Sequence, residues 1–574
     1  EAALKTVALP AKTTTKVIPV NLNEAAVVSY AIASSSEDLK ALSKTAKDQI
    51  IPVIAQLPGV LKVTLSGEPS KLDLTKPPKL EDLTKSGTLV RFNGQEAIAF
   101  QVVKKSDANT LEVVREVNQE VERLRTTLPT VQFSVAATQA DYIKAATDET
   151  VKALIEAMIL SVIVIYPFLW NWKATVISAL AIPMSLLGTF IVMAFYGFNL
   201  ETITLLALAL VIGNVVDDAI VDVENISRHI DNGESPKQAA LLATDEIGLP
   251  VTAATLTAVA VFLPIGLMGG VIGQFFKPFG ITVAASMLTS LLVARTLSPV
   301  LSLYLLKPKA PGAAHKTGFW VKFSAAYGRL LAWSLRHRAI VTGIAILSFV
   351  AGVALIPLIP QGFIPKLDRG EFYVRYTAPL PTQAAPTDPL VTSLTVAKQL
   401  EDQVRKSPEV ETVFTIVGSR EGEPNKGNLY VKLKNNHATS TATLQDQIRA
   451  TLPNLEGVTT SVEDIPFVEA GSQKPLQIAI QGDDLVVLSR VANALKAKVQ
   501  TLPGFVDVTV TGVNSGAEIR QIERKDGKRV VYVSANLGKD LALGDATETI
   551  VKEARTLIPP GVTLDLGGDS ATSS

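Results

Sequence analysis

The sequence predicts an α-helical polytopic membrane protein that carries two large α+β lobes outside the bilayer. Three observations lead to this fold class: charge-free stretches in the middle of the chain, flanks composed like soluble domains, and short segments that recur in both flanks. The 574 residues are 47% hydrophobic and have a mean hydropathy of +0.30. That composition is too apolar for a soluble multidomain protein and too charged for a chain wholly embedded in lipid.

Composition also excludes several classes of function. The chain holds 54 Lys and Arg residues against 54 Asp and Glu residues, so its net charge gives no reason to expect a nucleic-acid partner. It has no Cys and only four His, which excludes disulfides, thiolate metal sites and cysteine nucleophiles. No phosphate-binding glycine loop, nucleophile elbow or paired metal-ligand spacing occurs. We therefore expect neither an enzyme, nor a cofactor, nor a resident metal.

The first lobe, residues 1–148, contains a segment that recurs in the second flank. Leu57 to Gly67, which begins Leu-Pro-Gly, matches Leu502 to Gly512 at identical spacing, and each copy follows an amphipathic helix and starts a strand. A second shared unit is a helix that closes in proline before a strand, as at Pro129, Pro453 and Pro560. Two strand-helix-strand units in succession form the split β-α-β pattern of ferredoxin-like modules. We expect such modules at 25–136, 371–463 and 475–567, with residues 1–24 as the tail of another.

Six segments are apolar enough to cross a bilayer. A spanning helix needs about 20 predominantly apolar residues, and the charge-free runs 174–200, 202–216, 247–276 and 339–365 meet that length or come close to it. The predicted spans lie near 150–169, 174–196, 201–225, 249–270, 278–306 and 339–358. Five of them fall within 149–306 and the sixth occupies 339–358, so both flanks lie on one side of the membrane.

The connection between the fifth and sixth spans, residues 307–338, fixes the orientation. It carries seven cations and no acid: Lys307, Lys309, Lys316, Lys322, Arg329, Arg336 and Arg338. Cytoplasmic loops are enriched in Lys and Arg, so this loop is expected in the cytoplasm and the lobes 1–148 and 359–574 outside it. Within the loop, apolar residues at helical spacing predict an amphipathic helix on the membrane surface, or alternatively a short helix packed on the bundle: Trp320, Phe323, Tyr327, Leu330 and Leu331.

The third span carries acids at positions where charge is expensive. Insertion scales assign about 2.5 to 3.5 kcal/mol to one Asp at a helix centre, so such acids persist mainly where they pair, face the bundle interior or carry protons. Helical geometry places Asn214, Asp218 and Asp222 on one face and Asp217 and Glu224 on a neighbouring one. Asp222 and Glu224 could instead mark the end of the helix in the headgroup layer. Asp217 and Asp218 could not, because apolar residues flank them on both sides.

Asp217 and Asp218 are the predicted proton site. Two adjacent carboxylates in a low dielectric cannot both ionise cheaply, so one of them is expected to hold a proton unless a cation neutralises it. Asn214, Asp222 and Glu224 are candidate extensions of a proton path towards the cytoplasm. Arg295 is alone among charged residues in the fifth span, and it either pairs with one of these acids or extends its guanidinium to the cytoplasmic surface.

Two motifs resemble the resistance-nodulation-division exporters, close to their drug-efflux branch: Gly213 to Asn225, and Phe363 to Phe372 after the last span. The resemblance implies a homotrimer in the bacterial inner membrane that exchanges protons for substrates taken up in periplasmic porter modules. Asp217 and Asp218 match the proton-carrying pair of that family. Its members pair these acids with a Lys on a helix of the second half, which would lie beyond Ser574.

The chain also departs from that family. Relative to it, the first span and most of the first porter module would precede Glu1, and the last five spans would follow Ser574. Only short segments separate Gly67 from Phe92 and Gly512 from Arg529, where the family carries long docking insertions. A periplasmic adaptor protein and an outer-membrane channel are therefore doubtful partners. Asp222 replaces a residue that is commonly apolar, and we expect it to widen the cytoplasmic proton entrance.

The predicted function is proton-driven export of small amphiphilic molecules, with three alternatives left open. A heavy-metal cation pump on the same scaffold is disfavoured for soft metals, because all five Met lie in or beside spans and the outer lobes hold only His437. A carboxylate site for zinc or cobalt stays open. A proton-coupled accessory subunit of protein export should lack the second lobe at 359–574. A transport-silent binding scaffold would tolerate Asp218→Asn.

Overall fold

The computed structural model describes residues 26–34, 37–68, 87–105, 108–169, 171–200, 202–307, 319–356, 368–380, 388–419, 423–465, 474–512, 522–538 and 541–567. Several predicted features lie outside these ranges: the tail at 1–24, the short docking segments 69–86 and 513–521, and Phe363 to Leu367 of the second motif. The chain divides into two compact units, one formed by Glu1–Ala140 with Leu358–Ser574 and the other by Asp141–Pro357.

The N-terminal part of the first unit alternates strands and helices. Asp38 and Asn109 accept hydrogen bonds from the first-turn amides of Ala41 and Glu112, so each caps the helix that follows it. The elements are β1 (Ala26–Ser34), α1 (Leu39–Thr45), which continues through a π-helical turn (Ala46–Ile50) into α2 (Ile51–Ala55), β2 (Val60–Ser66), β3 (Leu89–Phe92), β4 (Gln95–Lys104), α3 (Thr110–Thr127) and β5 (Val131–Thr138).

The second unit is helical. Its elements are α4 (Ala140–Leu169), α5 (Trp172–Tyr196), α6 (Thr202–Asp231), α7 (Pro236–Glu246), α8 (Gly248–Gly266), α9 (Gly270–Leu305), α10 (Phe319–Arg336) and α11 (Arg338–Leu355). Within the described residues, six of these helices are long and apolar enough to cross a membrane, namely α4, α5, α6, α8, α9 and α11. Their number equals the number of spans predicted from the sequence.

The ends of the third span and the surroundings of the basic loop differ in detail from expectation. Helix α6 continues to Asp231, six residues beyond the predicted end at 225, so Asp222 and Glu224 lie within the helix. Helix α10 exposes its apolar side chains Phe323, Tyr327 and Leu330 by 56%, 61% and 59%. From Val321 to Arg336 no residue of α10 is buried, and both the surface helix and the helix packed on the bundle stay predictions.

The C-terminal part of the first unit contains two further strand-helix repeats. The elements are β6 (Glu371–Thr377), α12 (Pro389–Val404), β7 (Val410–Val417), β8 (Lys426–Leu433), α13 (Thr441–Thr451), β9 (Thr459–Asp464), β10 (Leu476–Gly482), α14 (Leu485–Val499), β11 (Phe505–Thr511), β12 (Glu523–Lys525), β13 (Lys528–Leu537), α15 (Leu543–Arg555) and β14 (Thr563–Gly567).

The repeated segments have the same structure in both flanks. Gly59 and Gly504, the third residues of the two copies, have φ of 76° and 83°, and Gly67 and Gly512, which end them, have φ of 90° and 84°. Glycine adopts this left-handed backbone without the steric penalty that a Cβ brings. The glycines of the repeat therefore set the turns that enter and leave β2 and β11.

Among the described strands all pairs are antiparallel, and three groups of strands have the same order. They run β5-β1-β4-β2, β9-β6-β8-β7 and β14-β10-β13-β11. Each group has its own apolar core, with Phe100, Phe372 and Ile478 fully buried at their centres.

A short strand merges the first two groups into one nine-stranded sheet. Strand β3 pairs with β4 on one edge and with β7 on the other, where Leu89 faces Val417 and Phe92 faces Phe414. A buried ion pair supports this junction: Arg91 Nε lies 2.7 Å from Glu401 Oε2, and the Gly94 amide donates to the same carboxylate. Strand β3 has only four residues, too few for an alternation of apolar and polar side chains to predict this connection.

Helices α8 and α9 approach closely at two glycines. A Cβ on Gly280 would lie 2.4 Å from the backbone nitrogen of Gly266, and one on Gly266 would meet Ile281 at 2.9 Å. Real Cβ atoms do not tolerate the shorter distance, so only glycine fits. This contact fixes the separation of two helices that supply side chains to the site described next.

Candidate functional site

Helix α6 presents its polar residues on two different faces. Asp218 is half-buried and Asp222 is fully buried, whereas Asn214, Asp217 and Glu224 are exposed in this chain. Asn214, expected on one face with Asp218 and Asp222, thus differs from them in burial. Each step of four residues turns about 40° around a helix axis, and burial increases along this stripe from the exposed Asn214 through the half-buried Asp218 to the buried Asp222.

Asp218 lies among hydroxyl groups of two neighbouring helices. Ser290 Oγ on α9 is 3.0 Å from Asp218 Oδ2 and 3.2 Å from the Val215 carbonyl oxygen. Thr255 Oγ1 on α8 is 3.5 Å from Asp218 Oδ1, too far for a strong hydrogen bond, and is 2.9 Å from the Val251 carbonyl.

The Ser290 hydroxyl suits both protonation states of Asp218. A hydroxyl has one proton to donate and two lone pairs to accept with. It can donate to the ionised carboxylate, or donate to the Val215 carbonyl and accept from a protonated carboxyl group. No backbone movement is required for this exchange, so Asp218 can gain and lose a proton while it keeps the same neighbour.

Asp222 pairs with Arg295 one helical turn further along. Arg295 Nη1 lies 3.1 Å from Asp222 Oδ1, and the two side chains are 17% and 0% exposed. The structure thus shows the pairing and not the extension of Arg295 to the surface. The guanidinium also donates to the carbonyls of Thr244 and Ile247 at 3.0 and 2.9 Å.

A polar cluster at the C-terminal end of α6 was not predicted from the sequence. His229 Nδ1 lies 2.9 Å from Glu234, and its Nε2 lies 3.1 Å from Glu246. Asn225 and Arg228 also donate to Glu246. The hydrogen bonds from His229, and then from Asn225, lower the pKa of Glu246 to about 2. The sequence signal would have been the recurrence of Asn225, Arg228 and His229 at helical spacing, opposite acids on the next helix.

Metal binding has no structural support in the described part of the chain. No group of three or more His, Asp or Glu side chains there could hold a metal ion. His437, singled out from composition, lies 3.4 Å from Asp368, and its Nδ1 faces the Lys434 carbonyl at 2.9 Å.

Comparisons with known proteins give a consistent picture. Residues 80–520 match the sequence profile of the AcrB/AcrD/AcrF family. The chain is 32% identical over 448 residues to the Multidrug resistance protein MdtC of Escherichia coli O139:H28 (strain E24377A / ETEC), across 76% of this chain and 42% of that protein. The corresponding protein of Shigella boydii serotype 4 (strain Sb227) gives the same figures, 32% identity over 448 residues, 76% and 42%. The chain therefore spans about two fifths, 42%, of the length of the curated relatives it matches.

Proposed function

The chain belongs to the AcrB/AcrD/AcrF family of resistance-nodulation-division transporters, and from this premise we propose that it is the energy-coupling part of a proton-driven exporter in the bacterial inner membrane. The family predicted from the sequence is confirmed by the profile match over residues 80–520. In this proposal the protein is a secondary active transporter and not an enzyme. Its coupling site is the carboxylate pair Asp217 and Asp218.

The observation that carries the proposal is the setting of Asp218 in α6. It is a carboxyl group inside a helix bundle, with the Ser290 hydroxyl 3.0 Å away and an apolar surround formed by Val215, Val216 and Ala219. A carboxyl group in such a place is retained where it serves proton transfer. One proton that crosses a potential of 100 mV releases about 2.3 kcal/mol, which would drive the cycle.

Asp217 completes the proposed pair from the other face of α6. Its exposed side chain shares that face with Asn214 and Glu224, whereas Asp218 faces α8 and α9. Under the proposal, protonation of the pair changes the charge on both faces of α6 at once. The extension of the path through Asn214, Asp222, Glu224 and Arg295 stays a prediction.

We further propose that small amphiphilic molecules are the substrates. Support comes from the relatives, which are named multidrug resistance proteins. A heavy-metal pump is not favoured, because the described residues contain no group able to hold a metal ion. A protein-export accessory subunit is not favoured either, because the chain carries a second strand-helix region after α11.

The three strand groups are proposed to be ferredoxin-like porter modules in the periplasm. Their common order places the fourth strand beside the first, then the third, then the second, as the split β-α-β pattern requires. A homotrimer is proposed on the family's account. An adaptor protein and an outer-membrane channel stay doubtful partners, because only short segments separate Gly67 from Phe92 and Gly512 from Arg529.

The proposal is tested by removing the charge of each acid in the full-length gene product. We expect Asp218→Asn and Asp217→Asn to reduce substrate transport driven by a pH gradient to background in proteoliposomes, because neither amide can take up a proton. Asp245→Asn, at an exposed position on α7, is the matched control and should transport as the wild type does. Full gradient-driven transport by Asp218→Asn would refute the proposal.

A further inference from the structure

Arg295 joins three elements of the helical unit through a single side chain. From α9 its guanidinium reaches Asp222 on α6 at 3.1 Å, Thr244 in the last turn of α7 at 3.0 Å and Ile247 at the start of α8 at 2.9 Å. The last turn of a helix leaves carbonyl groups without partners inside the helix, and a cation is favourable there. Arg295 therefore holds the corner between α7 and α8 against α6 and α9.

Neither charge of this pair could remain buried alone. Asp222 is fully buried, and only 17% of the Arg295 side chain is exposed. An isolated charge in such a place is strongly unfavourable, and removal of one partner leaves the other uncompensated. Among the described residues, the only hydrogen-bond partner seen for the Asp222 carboxylate is Arg295, and Asp222 Oδ2 has none.

The pair lies close enough to Asp218 to affect its protonation. Asp222 follows Asp218 by one turn, about 6 Å along the helix axis, and Arg295 follows Ser290 by five residues, about 7.5 Å. In the described part of the chain, the charged groups that face Asp218 are Asp217 and Asp222 on α6 and Arg295 on α9, while α8 contributes the uncharged Thr255. A bare cation at this distance would favour the ionised form of Asp218.

We propose that Asp222 is a positioning residue that neutralises Arg295, so that Arg295 can hold the α7–α8 corner without suppressing proton binding at Asp218. The inference rests on the proposed role of Asp218. It gives Asp222 and Arg295 a task other than carrying the proton. It also explains why an acid stands at position 222: the fully buried carboxylate supplies the counter-charge that the guanidinium beside it requires.

Direct measurement of Asp218 protonation tests this inference without relying on transport. Carbodiimides react with protonated carboxyl groups in apolar surroundings, so the pH dependence of Asp218 labelling by dicyclohexylcarbodiimide, followed by mass spectrometry, reports its protonation in the full-length protein. We expect Asp222→Asn to move the labelling midpoint by about one pH unit or more towards acid, because Arg295 then acts uncompensated. Arg295→Gln should move it towards alkaline pH, by less, since Asp222 then binds a proton itself.

The double variant Asp222→Asn with Arg295→Gln decides between the two roles. If Asp222 only compensates Arg295, the double variant labels near the wild-type midpoint and regains transport that Asp222→Asn has lost. If Asp222 carries protons, transport stays lost in Asp222→Asn and in the double variant. An unchanged midpoint in Asp222→Asn, or a double variant no closer to wild type than Asp222→Asn, overturns the proposal.

Arg295→Lys is a conservative variant that keeps the test valid if Arg295→Gln fails to fold. It keeps the cation, so it should label with the wild-type midpoint, and its combination with Asp222→Asn should repeat the shift towards acid. A different result would refute the proposed function itself. In that case gradient-driven transport would persist in Asp218→Asn, independently of how the Asp222 and Arg295 variants are labelled.

Discussion

Lys474 is a buried amine in the first unit, where it donates to the backbone carbonyl of Asp507. Only 8% of the residue is exposed, and burial lowers the pKa of its ammonium group, while the acids Glu463 and Asp507 oppose that shift. The Asp507 carboxylate in turn accepts hydrogen bonds from Arg449 and Asn536, both at 3.0 Å. Polar contacts thus join the strand groups that begin at β6 and β10.

Replacement of Lys474 by Met should stabilise this region at neutral pH by about 1 kcal/mol, because the cost of burying the ammonium group outweighs its attraction to Glu463 and Asp507, and Met is an apolar side chain of similar length. Between its lowered pKa and the ordinary 10.5, the native state binds fewer protons than the unfolded state, so wild-type stability rises with pH. The advantage of Lys474→Met should therefore shrink as pH rises through that interval.

Urea unfolding followed by hydrogen exchange of β10 and β11 at pH 7 and pH 9.5 measures this difference. The exposed Lys528→Met on β13 is the matched control and should change stability little at either pH. A loss of stability in Lys474→Met at neutral pH would mean that the bond to Asp507 outweighs the cost of burial.

At the residue scale, sequence reasoning identified the acids but not their neighbours. Asp218 stood out because charge inside an apolar helix is rare, and that rule needs no knowledge of packing. Whether Arg295 paired or reached the surface depended on how α6, α7 and α9 meet, which is a tertiary property. The cluster around His229 was missed for the same reason, because Glu246 lies on a different helix.

At the scale of elements, the contact between α8 and α9 sets the positions of Thr255 and Ser290. Gly280→Ala would bring a Cβ to 2.4 Å from the Gly266 nitrogen and 2.8 Å from the Phe262 carbonyl, so the two helices must separate. We expect a loss of about 1 to 3 kcal/mol, typical of overpacking, visible as a lower melting temperature. Transport should fall as well, because both hydroxyls move relative to Asp218.

Gly352→Ala provides the matched control for that substitution. Gly352 lies within α11, and a Cβ there would meet nothing within 4 Å. The change should be neutral or slightly stabilising, because alanine restricts the unfolded chain more than glycine does. Equal melting temperatures for Gly280→Ala and Gly352→Ala would show that α8 and α9 can adjust without cost.

Charge-free runs predicted the positions of the six long apolar helices well, because twenty apolar residues in succession have few other uses. The same rule could not predict where α6 ends, because its last turns carry charged residues. Those turns are fixed by hydrogen bonds from Asn225 and Arg228 to Glu246. Repeated glycines and prolines located the strand groups. Strand β3 was not predicted, because its second partner strand lies more than 300 residues away in the sequence. Arg91 and Glu401, which form the ion pair at this junction, are separated by 310 residues.

At the scale of the whole molecule, the absence of Cys makes the proposed topology directly testable. We expect a single Cys at Glu548, exposed on α15, to react with a membrane-impermeant maleimide in cells whose outer membrane has been permeabilised. A Cys at Ser324, exposed on α10, should react only after the inner membrane is opened, because a loop with seven cations and no acid is expected in the cytoplasm.

The reverse labelling pattern would overturn the orientation derived from the basic loop. Labelling of both positions in cells with a closed inner membrane would instead mean that the number of crossings between them is even. Mass spectrometry of the labelled peptides distinguishes these outcomes from incomplete reaction. The labelling assay needs no substrate, so its result is independent of the transport measurements.

The pairing of β3 with β7 has a consequence for biosynthesis. Arg91 and Glu401 are separated by 310 residues that include every helix of the second unit. At about 5 to 20 residues per second, the ribosome needs roughly 15 to 60 s to synthesise them. Throughout that interval one edge of β3 has no strand beside it, and an open edge readily pairs with other chains. Newly made protein is therefore most prone to misassembly while its helices are still entering the membrane, and a slower ribosome would lengthen that exposure.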